Sequence, residues 1–250
     1  MLATGTLLRL RSLAIRAQRR ARRRIERALF PLGNAVECPF CGWTGWRFLS
    51  AGLYNRPNRL CPRCGSLERY RMLPLVLDRR FAGRTGLRLL ELAPKPCFTA
   101  YCLRTGWRYT SSDLMSPHAM VRGDLRGMPF ATGSFDVIVC FHVMEHIHED
   151  RAAFAELARL LAPGGVAILC VPLRGPTTQE GAPRSEWERL YGQDDHVRYY
   201  GMDIADRMAA SGLTAERVDT LRYFTAAELD RHALRGDDRY LFLAGRAEPA

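Results

Sequence analysis

Residues 135–172 read FDVIVCFHVMEHIHEDRAAFAELARLLAPGGVAILCVP and contain the clearest structural pattern in the chain. The two ends, residues 135–141 and 166–172, are continuous apolar runs of strand length, which is typical of strands buried on both faces. Between them, apolar residues recur at helical spacing over residues 149–161, until Pro163-Gly164-Gly165 ends the helix. A strand–helix–strand unit predicts two parallel strands in one sheet.

Further apolar runs of strand length flank this unit on both sides. They lie at residues 87–93, 107–113, 119–122, 214–221 and 239–246. With the first two runs they make seven strand candidates, and helical patterns separate many of them. We therefore predict an α/β fold with a doubly wound, seven-stranded, mostly parallel sheet covered by helices on both faces.

The composition is that of a globular protein. The 250 residues are 47% apolar and 25% charged, which excludes a disordered or fibrous chain. No run approaches the roughly 20 apolar residues of a membrane-spanning helix. We expect three parts: a basic helix (1–33), a cysteine module (34–70) and the α/β domain (71–250).

The basic charge is concentrated at the N-terminus. Residues 1–30 contain nine arginines and one acid, and so carry +8 of the formal net charge of +11. An apolar stripe at helical spacing predicts an amphipathic helix that Pro31 and Gly33 end. Two interpretations stay open: an arm for nucleic acid or an anionic membrane surface, or a solvated helix whose alanine stripe packs on the body.

Two short motifs predict a metal site. Cys38-Pro-Phe-Cys41-Gly and Cys61-Pro-Arg-Cys64-Gly are two copies of one turn, and each lets two thiolates point at one ion. Four thiolates suit tetrahedral zinc, with iron as the alternative metal. A closed four-ligand site has no open position for catalysis, so we interpret it as a structural zinc ribbon.

Aromatic residues in the cysteine module allow two interpretations. They are Trp43, Trp46, Phe48 and Tyr54, with Arg56 beside them. They would either stack on nucleic-acid bases or form the core of the small module. The other four cysteines, Cys97, Cys102, Cys140 and Cys170, lie among apolar residues and are interpreted as core. With no recognisable secretory signal, we expect a reducing, cytoplasmic location.

Four motifs of the α/β domain occur in a fixed order. They are Asp124-Leu-Arg-Gly-Met-Pro-Phe130, Gly133-Ser-Phe-Asp136-Val-Ile-Val, His142-Val-Met-Glu145-His146-Ile and Leu160-Leu-Ala-Pro-Gly-Gly165. In this order and spacing, residues 87–172 resemble class I S-adenosylmethionine-dependent methyltransferases, most closely the methyltransferase type 11 group. The resemblance implies a Rossmann-like fold, methyl transfer and S-adenosyl-L-methionine as cofactor.

The resemblance also implies where the cofactor binds. It assigns the turn at Glu91-Leu92-Ala93 to the methionine part, Asp113 to the ribose hydroxyls and Asp124 to the adenine amino group. Phe141 and His142 would lie beside the sulfonium. With Leu114 and Leu125, which follow the two aspartates, the predicted cofactor-binding residues are Glu91, Ala93, Asp113, Leu114, Asp124, Leu125, Phe141 and His142.

The turn after the first strand departs from the family pattern. Related methyltransferases have a glycine-rich turn there, whereas this chain has Ala93-Pro94-Lys95-Pro96-Cys97. Prolines fix φ and remove backbone donors. One alternative is therefore a non-catalytic scaffold with a degenerate cofactor site.

Residues 191–201 (YGQDDHVRYYG) form a second candidate cluster, in the long polar segment 174–198. Long segments of this kind in compact domains are often functional lids. His196 is a candidate base, because its ordinary pKa lies near neutrality. Arg198, with Tyr199 beside it, is predicted to hold a carboxylate or phosphate of the substrate.

His142-Val-Met-Glu145-His146 matches the H-x-x-E-H pattern of zinc proteases. That pattern needs one helix bearing both histidines, whereas here it follows a strand directly, so we reject a protease. His146 remains a second candidate base.

We expect methyl transfer to an oxygen or nitrogen atom of a small molecule. The first alternative is an RNA methyltransferase, since a four-cysteine module before a class I domain also resembles a bacterial ribosomal RNA guanine methyltransferase. In that case the arginine-rich arm and the ribbon would hold RNA.

Overall fold

The structure is a computed structural model that describes residues 18, 21, 24–26, 28–52, 55–236 and 238–247. Most of the predicted basic helix, and Tyr54, lie outside these residues. The described residues of this segment are helical up to position 29, and a turn follows at residue 30. No described helix is long and apolar enough to cross a membrane.

The chain divides into two compact units. The first runs to Arg80 and includes Thr225–Gly236, and the second comprises Phe81–Phe224 and the residues from Asp237. The boundary thus lies ten residues beyond the expected one at 70, and a C-terminal segment joins the first unit.

Besides the helical residues up to position 29, the described part of the first unit contains two hairpins and two helices. Strand β1 (Val36–Glu37) pairs antiparallel with β2 (Thr44–Gly45), and β3 (Leu49–Ala51) pairs antiparallel with β4 (Arg56–Leu60). The helices are α1 (Glu68–Arg80) and α7 (Ala226–Arg231). The intervening helices of the second unit are α2 (Pro96–Cys102), α3 (Asp150–Leu160), α4 (Trp187–Tyr191), α5 (Ile204–Ala209) and α6 (Thr220–Tyr223).

Arg71 explains why α1 and residues 225–236 belong to the first unit. The side chain is fully buried, and its guanidinium lies 3.9 Å from the centre of the Phe48 ring. It donates hydrogen bonds to the carbonyl oxygens of Arg59, His232 and Ala233 at 2.8, 2.8 and 3.1 Å. A single arginine therefore joins three separate parts of the chain.

The aromatic residues of the cysteine module form mainly its core. Trp43 and Phe48 are buried, with ring centroids 5.4 Å apart, whereas Trp46 is 59% exposed. The core interpretation is therefore confirmed for Trp43 and Phe48.

The described part of the second unit contains nine strands: β5 (Arg88–Leu92), β6 (Arg108–Asp113), β7 (Val121–Arg122), β8 (Phe135–Phe141), β9 (Leu161–Cys170), β10 (Gln179–Glu180), β11 (Arg198–Tyr199), β12 (Leu213–Asp219) and β13 (Tyr240–Arg246). Seven of them form one sheet in the order β12-β13-β9-β8-β5-β6-β7. Strands β5 to β9 are parallel, and β13 is antiparallel to both of its neighbours. The predicted fold class is confirmed.

Strand β9 begins earlier than predicted, at Leu161 rather than at residue 166. The pairing of Phe135 with Leu161 precedes a register shift, after which Val137 pairs with Val166. Helix α3 therefore ends at Leu160, before Pro163-Gly164-Gly165, and these three residues lie in the irregular first part of the strand. Ala153, Phe154 and Leu157 on α3 pack into the core against the sheet.

The strand order creates a crevice at one edge of the sheet. From β5 the chain continues to β6 and β7 on one side and then returns to β8 on the other. Ligands of open α/β sheets bind at the carboxyl ends of the strands at such a reversal. Cys97, Cys102, Cys140 and Cys170 are buried, as expected for core residues.

Candidate active site

A cavity of about 410 Å³ lies at the carboxyl ends of β5, β6 and β8. Its size falls within the roughly 300–1,000 Å³ typical of small-molecule sites. Six of the eight predicted cofactor-binding residues line it: Ala93, Asp113, Leu114, Asp124, Leu125 and His142. Glu91 and Phe141 do not.

Glu91 supports the turn behind the cavity instead of facing it. One carboxylate oxygen accepts the Lys95 N–H at 2.8 Å, and the other accepts the Tyr109 hydroxyl at 2.5 Å. The side chain is 1% exposed, and burial raises its pKa to about 7. Phe141 is 2% exposed and belongs to the buried part of β8.

The turn after β5 takes its shape without a glycine. Ala93 has a φ of +53°, in the left-handed region, and its N–H donates to the Ser112 carbonyl at 2.9 Å. Pro96 begins α2, a helix position that proline suits. The backbone thus adopts at an alanine a conformation that favours glycine.

The two aspartates at the strand ends are held differently. Asp113 Oδ1 accepts the backbone N–H groups of Met115 and Ser116, both at 2.7 Å. Asp124 pairs with Arg126 at 2.6 Å, and Arg126 also pairs with Glu149 at 2.6 Å. Hydrogen bonds from Arg126 hold the pKa of Asp124 below its usual value.

His142 lies directly after β8 and has a φ of +55°. Its Nδ1 lies 3.0 Å from Glu145 Oε1, and its Nε2 lies 3.4 Å from Asp238 Oδ1. Burial alone would lower its pKa, but hydrogen bonds to Asp238, Cys170 and Glu145 outweigh burial and raise the pKa to about 12. Asp238 was not predicted, because it precedes β13 and lies far from His142 in sequence.

The two candidate bases lie together. The His146 and His196 rings are 4.7 Å apart between centroids, with an interplanar angle of 82°. His146 lines the cavity together with Asp195, while His196 is 3% exposed and does not line it. Burial lowers the pKa of His196, so its ring is neutral at neutral pH.

Arg198 points away from the cavity. It donates to the carbonyl oxygens of Ile147 and, at 2.7 Å, His148, and it pairs with Glu180 at 2.8 Å. The structure therefore places this predicted substrate residue inside a buried network. Tyr199 is half-buried and also lies outside the cavity lining.

The segment over residues 174–203 is ordered by its own contacts. Its two short strands, β10 (Gln179–Glu180) and β11 (Arg198–Tyr199), pair antiparallel. Asp203 accepts both the N–H and the hydroxyl of Thr178. The segment predicted as a lid is therefore folded, and it contributes Asp195 to the cavity wall.

The four predicted metal ligands meet in the first unit. One sulfur from each of Cys38, Cys41, Cys61 and Cys64 lies within 4.8 Å of the others. The Cys38–Cys64 and Cys41–Cys61 sulfur distances are 3.6 and 3.7 Å. Four sulfurs at about 2.3 Å from zinc in a tetrahedron would lie about 3.8 Å apart.

The two cysteine turns have the same hydrogen bonds. Cys38 N–H donates to the Trp43 carbonyl at 2.8 Å, and Cys61 N–H donates to the Ser66 carbonyl at 2.9 Å. Gly42 and Gly65 both have positive φ, at +65° and +73°. The repeated sequence motif therefore folds as a repeated structure.

The segment around the cavity is similar to a known protein family. Residues 92–169 match the family model described as "Methyltransferase domain". This segment resembles a methyltransferase domain. It makes up about a third of the chain and includes the ends of β5, β6 and β8.

Curated relatives match the same part of the chain. A demethylmenaquinone methyltransferase of Corynebacterium efficiens is 44% identical over 91 residues, which are 36% of this chain and 38% of the relative. A ubiquinone biosynthesis O-methyltransferase of Psychrobacter cryohalolentis is 29% identical over 102 residues, which are 41% of this chain and 32% of the relative. The chain thus covers well under half the length of either methyltransferase.

A solved structure with a similar chain is the Burkholderia thailandensis 1,6-didemethyltoxoflavin-N1-methyltransferase. It is 18% identical, with a TM-score of 0.49, and the match covers 70% of this chain and 76% of that one. The fold assignment rests on the strand order of the sheet itself.

Proposed function

We propose that this protein is an S-adenosylmethionine-dependent methyltransferase acting on an oxygen or nitrogen atom of a small molecule. The cavity at the ends of β5, β6 and β8 carries the proposal, because its strand-end residues belong to the segment that resembles a methyltransferase domain. This edge of an open α/β sheet is where ligands bind.

The residues of the cavity fit the cofactor. S-adenosylmethionine, when bound, supplies a methyl group already activated on a sulfonium. Asp113 uses Oδ1 in its own turn, so Oδ2 is the oxygen that would accept the ribose hydroxyls. Arg126 keeps Asp124 ionised, and the carboxylate would accept from the adenine amino group.

The acceptor would bind next to His146. His146 lines the cavity, and His196 lies directly behind it. A neutral imidazole is suited to take a proton from a hydroxyl or an amine. The segment over residues 174–203 would shield the reaction from water and help to align the acceptor. Arg198 would act by positioning this segment rather than by touching the substrate.

The comparisons support a small-molecule acceptor, because the names of the matched relatives refer to menaquinone and ubiquinone biosynthesis. The RNA alternative depends on the arginine-rich arm, most of which lies outside the described residues. Two of the aromatic residues proposed to stack on bases, Trp43 and Phe48, are buried in the ribbon core.

Calorimetric titration of the full chain with S-adenosylmethionine and S-adenosylhomocysteine tests the proposal. We expect micromolar binding and at least a tenfold loss in Asp113→Ala. The exposed Asp230→Ala, which removes a surface ion pair with Arg235, is the matched control and should bind normally. Failure of the folded protein to bind either compound would instead support the scaffold alternative.

We also propose that Cys38, Cys41, Cys61 and Cys64 hold a structural zinc ion, since their sulfur spacing suits a tetrahedral site. Elemental analysis of the purified protein distinguishes zinc from iron. The eight cysteines all lie in the described part of the chain and none forms a disulfide bond, which suits a reducing compartment such as the cytoplasm.

A further inference from the structure

A second group of metal-ligand side chains lies behind the wall of the cavity. One ligand atom from each of Glu145, His146 and His196 lies within 4.8 Å of the others. Glu145 and His196 are 1% and 3% exposed. Glu145 Oε2 and His196 Nε2 are buried and have no hydrogen-bond partner among the described residues.

Two unpartnered buried atoms in one cluster require an explanation. A buried carboxylate oxygen or imidazole nitrogen without a hydrogen-bond partner is destabilising, and a charged group more so. Both atoms offer lone pairs, so neither satisfies the other without a proton or a cation between them. A metal ion would satisfy both at once.

In each of the three side chains, the other nitrogen or oxygen atom already lies within hydrogen-bond distance of a protein group. His196 Nδ1 lies 2.9 Å from the Tyr191 carbonyl oxygen, and His146 Nδ1 lies 3.3 Å from the carbonyl oxygen of Asp195. Glu145 Oε1 lies 3.0 Å from His142 Nδ1. Metal-binding histidines typically donate their second nitrogen to a carbonyl or carboxylate, which orients the ring and leaves the other nitrogen for the metal.

We propose that Glu145, His146 and His196 bind a divalent transition-metal ion, separate from the ion of the cysteine cluster. Two imidazole nitrogens and one carboxylate oxygen suit zinc, manganese, cobalt or ferrous iron and leave coordination positions open. An ion bound by all three residues would lie at the wall of the cavity, because His146 lines the cavity and the other two ligands do not.

The open positions have a role if the proposed function holds. On that condition, they would take an oxygen or nitrogen atom of the methyl acceptor and so fix its place in the cavity. A nitrogen that binds a metal has no free lone pair, so the ligand role replaces the role of His146 and His196 as bases. Metal binding itself does not depend on the proposed function.

The test uses the full chain with zinc in its cysteine cluster, titrated with cobalt(II). Histidine and carboxylate ligands give weak visible absorption, whereas thiolate ligands add strong sulfur-to-metal charge-transfer bands, so the spectrum reports which site is filled. We expect one bound equivalent of cobalt without thiolate bands. Glu145→Gln and His146→Ala should each weaken binding by at least tenfold.

His118→Ala removes an exposed histidine outside the cluster and should bind cobalt normally. His146 is exposed at the cavity wall, so its variant is expected to fold even if Glu145→Gln does not. No binding of cobalt, or binding that neither variant weakens, would overturn the proposal. A separate titration with S-adenosylhomocysteine keeps the two proposals apart, because loss of one kind of binding leaves the other measurable.

Discussion

Ala93 has a φ of +53°, in the left-handed region that favours glycine. A left-handed φ at a residue other than glycine or asparagine is destabilising by about 1–2 kcal/mol. Two hydrogen bonds stabilise the turn: the Glu91 carboxylate accepts the Lys95 N–H, and the Ser112 carbonyl oxygen accepts the Ala93 N–H. The side chain of one buried glutamate therefore helps to stabilise a backbone conformation that favours glycine.

Replacing Ala93 with glycine should relieve this backbone strain. We expect Ala93→Gly to raise the free energy of unfolding by up to about 1 kcal/mol, measured by urea unfolding. Ala155→Gly, at an exposed position inside α3, should lower it by about 1 kcal/mol, because glycine there only adds freedom to the unfolded chain. Equal effects at both positions would contradict the role of φ at residue 93.

Glu91 should make stability depend on pH. Its pKa in the folded protein, about 7, lies above its ordinary value of 4.5, so the folded state binds the proton more tightly. Its contribution is therefore fully present below pH 4.5 and is lost as the pH rises to about 7. Within that window, the free energy of unfolding should fall by up to about 1.4 kcal/mol per pH unit.

Urea unfolding between pH 4.5 and 8 measures this slope. Glu91→Gln should remove it, whereas Glu216→Gln, at an exposed position on β12, should leave it unchanged. A slope that persists in Glu91→Gln would assign the effect to another group.

The segment over residues 174–203 shows how an irregular element is held in place. Arg198 joins β11 to the turn at Ile147 and His148 through hydrogen bonds, and to β10 through Glu180. The rigid, planar guanidinium makes several directed hydrogen bonds that an ammonium group cannot reproduce. Arg198 thus adds contacts to the rest of the unit to the strand pairing and hydrogen bonds within the segment.

Arg198→Lys should lower the free energy of unfolding by about 2 kcal/mol, since buried carbonyl groups lose their donors. It should also speed limited proteolysis within residues 174–203. Arg189→Lys changes an exposed arginine of the same segment, which pairs with Glu186, and should have an effect below about 0.5 kcal/mol. Unchanged proteolysis in Arg198→Lys would contradict the anchoring role.

The whole molecule combines two units with different means of stabilisation. The second unit has a continuous apolar core around its sheet, whereas the first has short hairpins and a cluster of four cysteines. Small units with limited cores often depend on a metal ion to fold.

On the proposal that the cysteine cluster holds zinc, Cys61→Ser should release the ion and increase hydrogen exchange in β1 to β4. Peptides from β5, β8 and β9 should stay protected, because their core contains no ligand of this site. Cys97→Ala, which changes a buried cysteine outside the cluster, should keep its zinc. Equal loss of protection in both units would show that the cluster also stabilises the sheet.

Much of the fold could be predicted from local patterns. The strand-like runs predicted six of the seven strands to within two residues at each end, and β9 with a start five residues too late. The helical spacing over residues 149–161 corresponds to α3, Asp150–Leu160. Six of the eight predicted cofactor-binding residues line the cavity because parallel strands bring their carboxyl ends to one edge. The cysteine spacing likewise identified the four clustered sulfurs.

The strands, helix α3, the cysteine turns and the edge of the sheet where the cavity lies follow from local sequence patterns, because they depend on periodicity and on short spacings along the chain. Long-range packing set the direction of Glu91, the buried network of Arg198 and the proximity of Glu145 to His196. It also decided that Arg71 joins residues 225–236 to the first unit. These outcomes depend on which groups distant in sequence share a buried polar environment, and no local pattern records that.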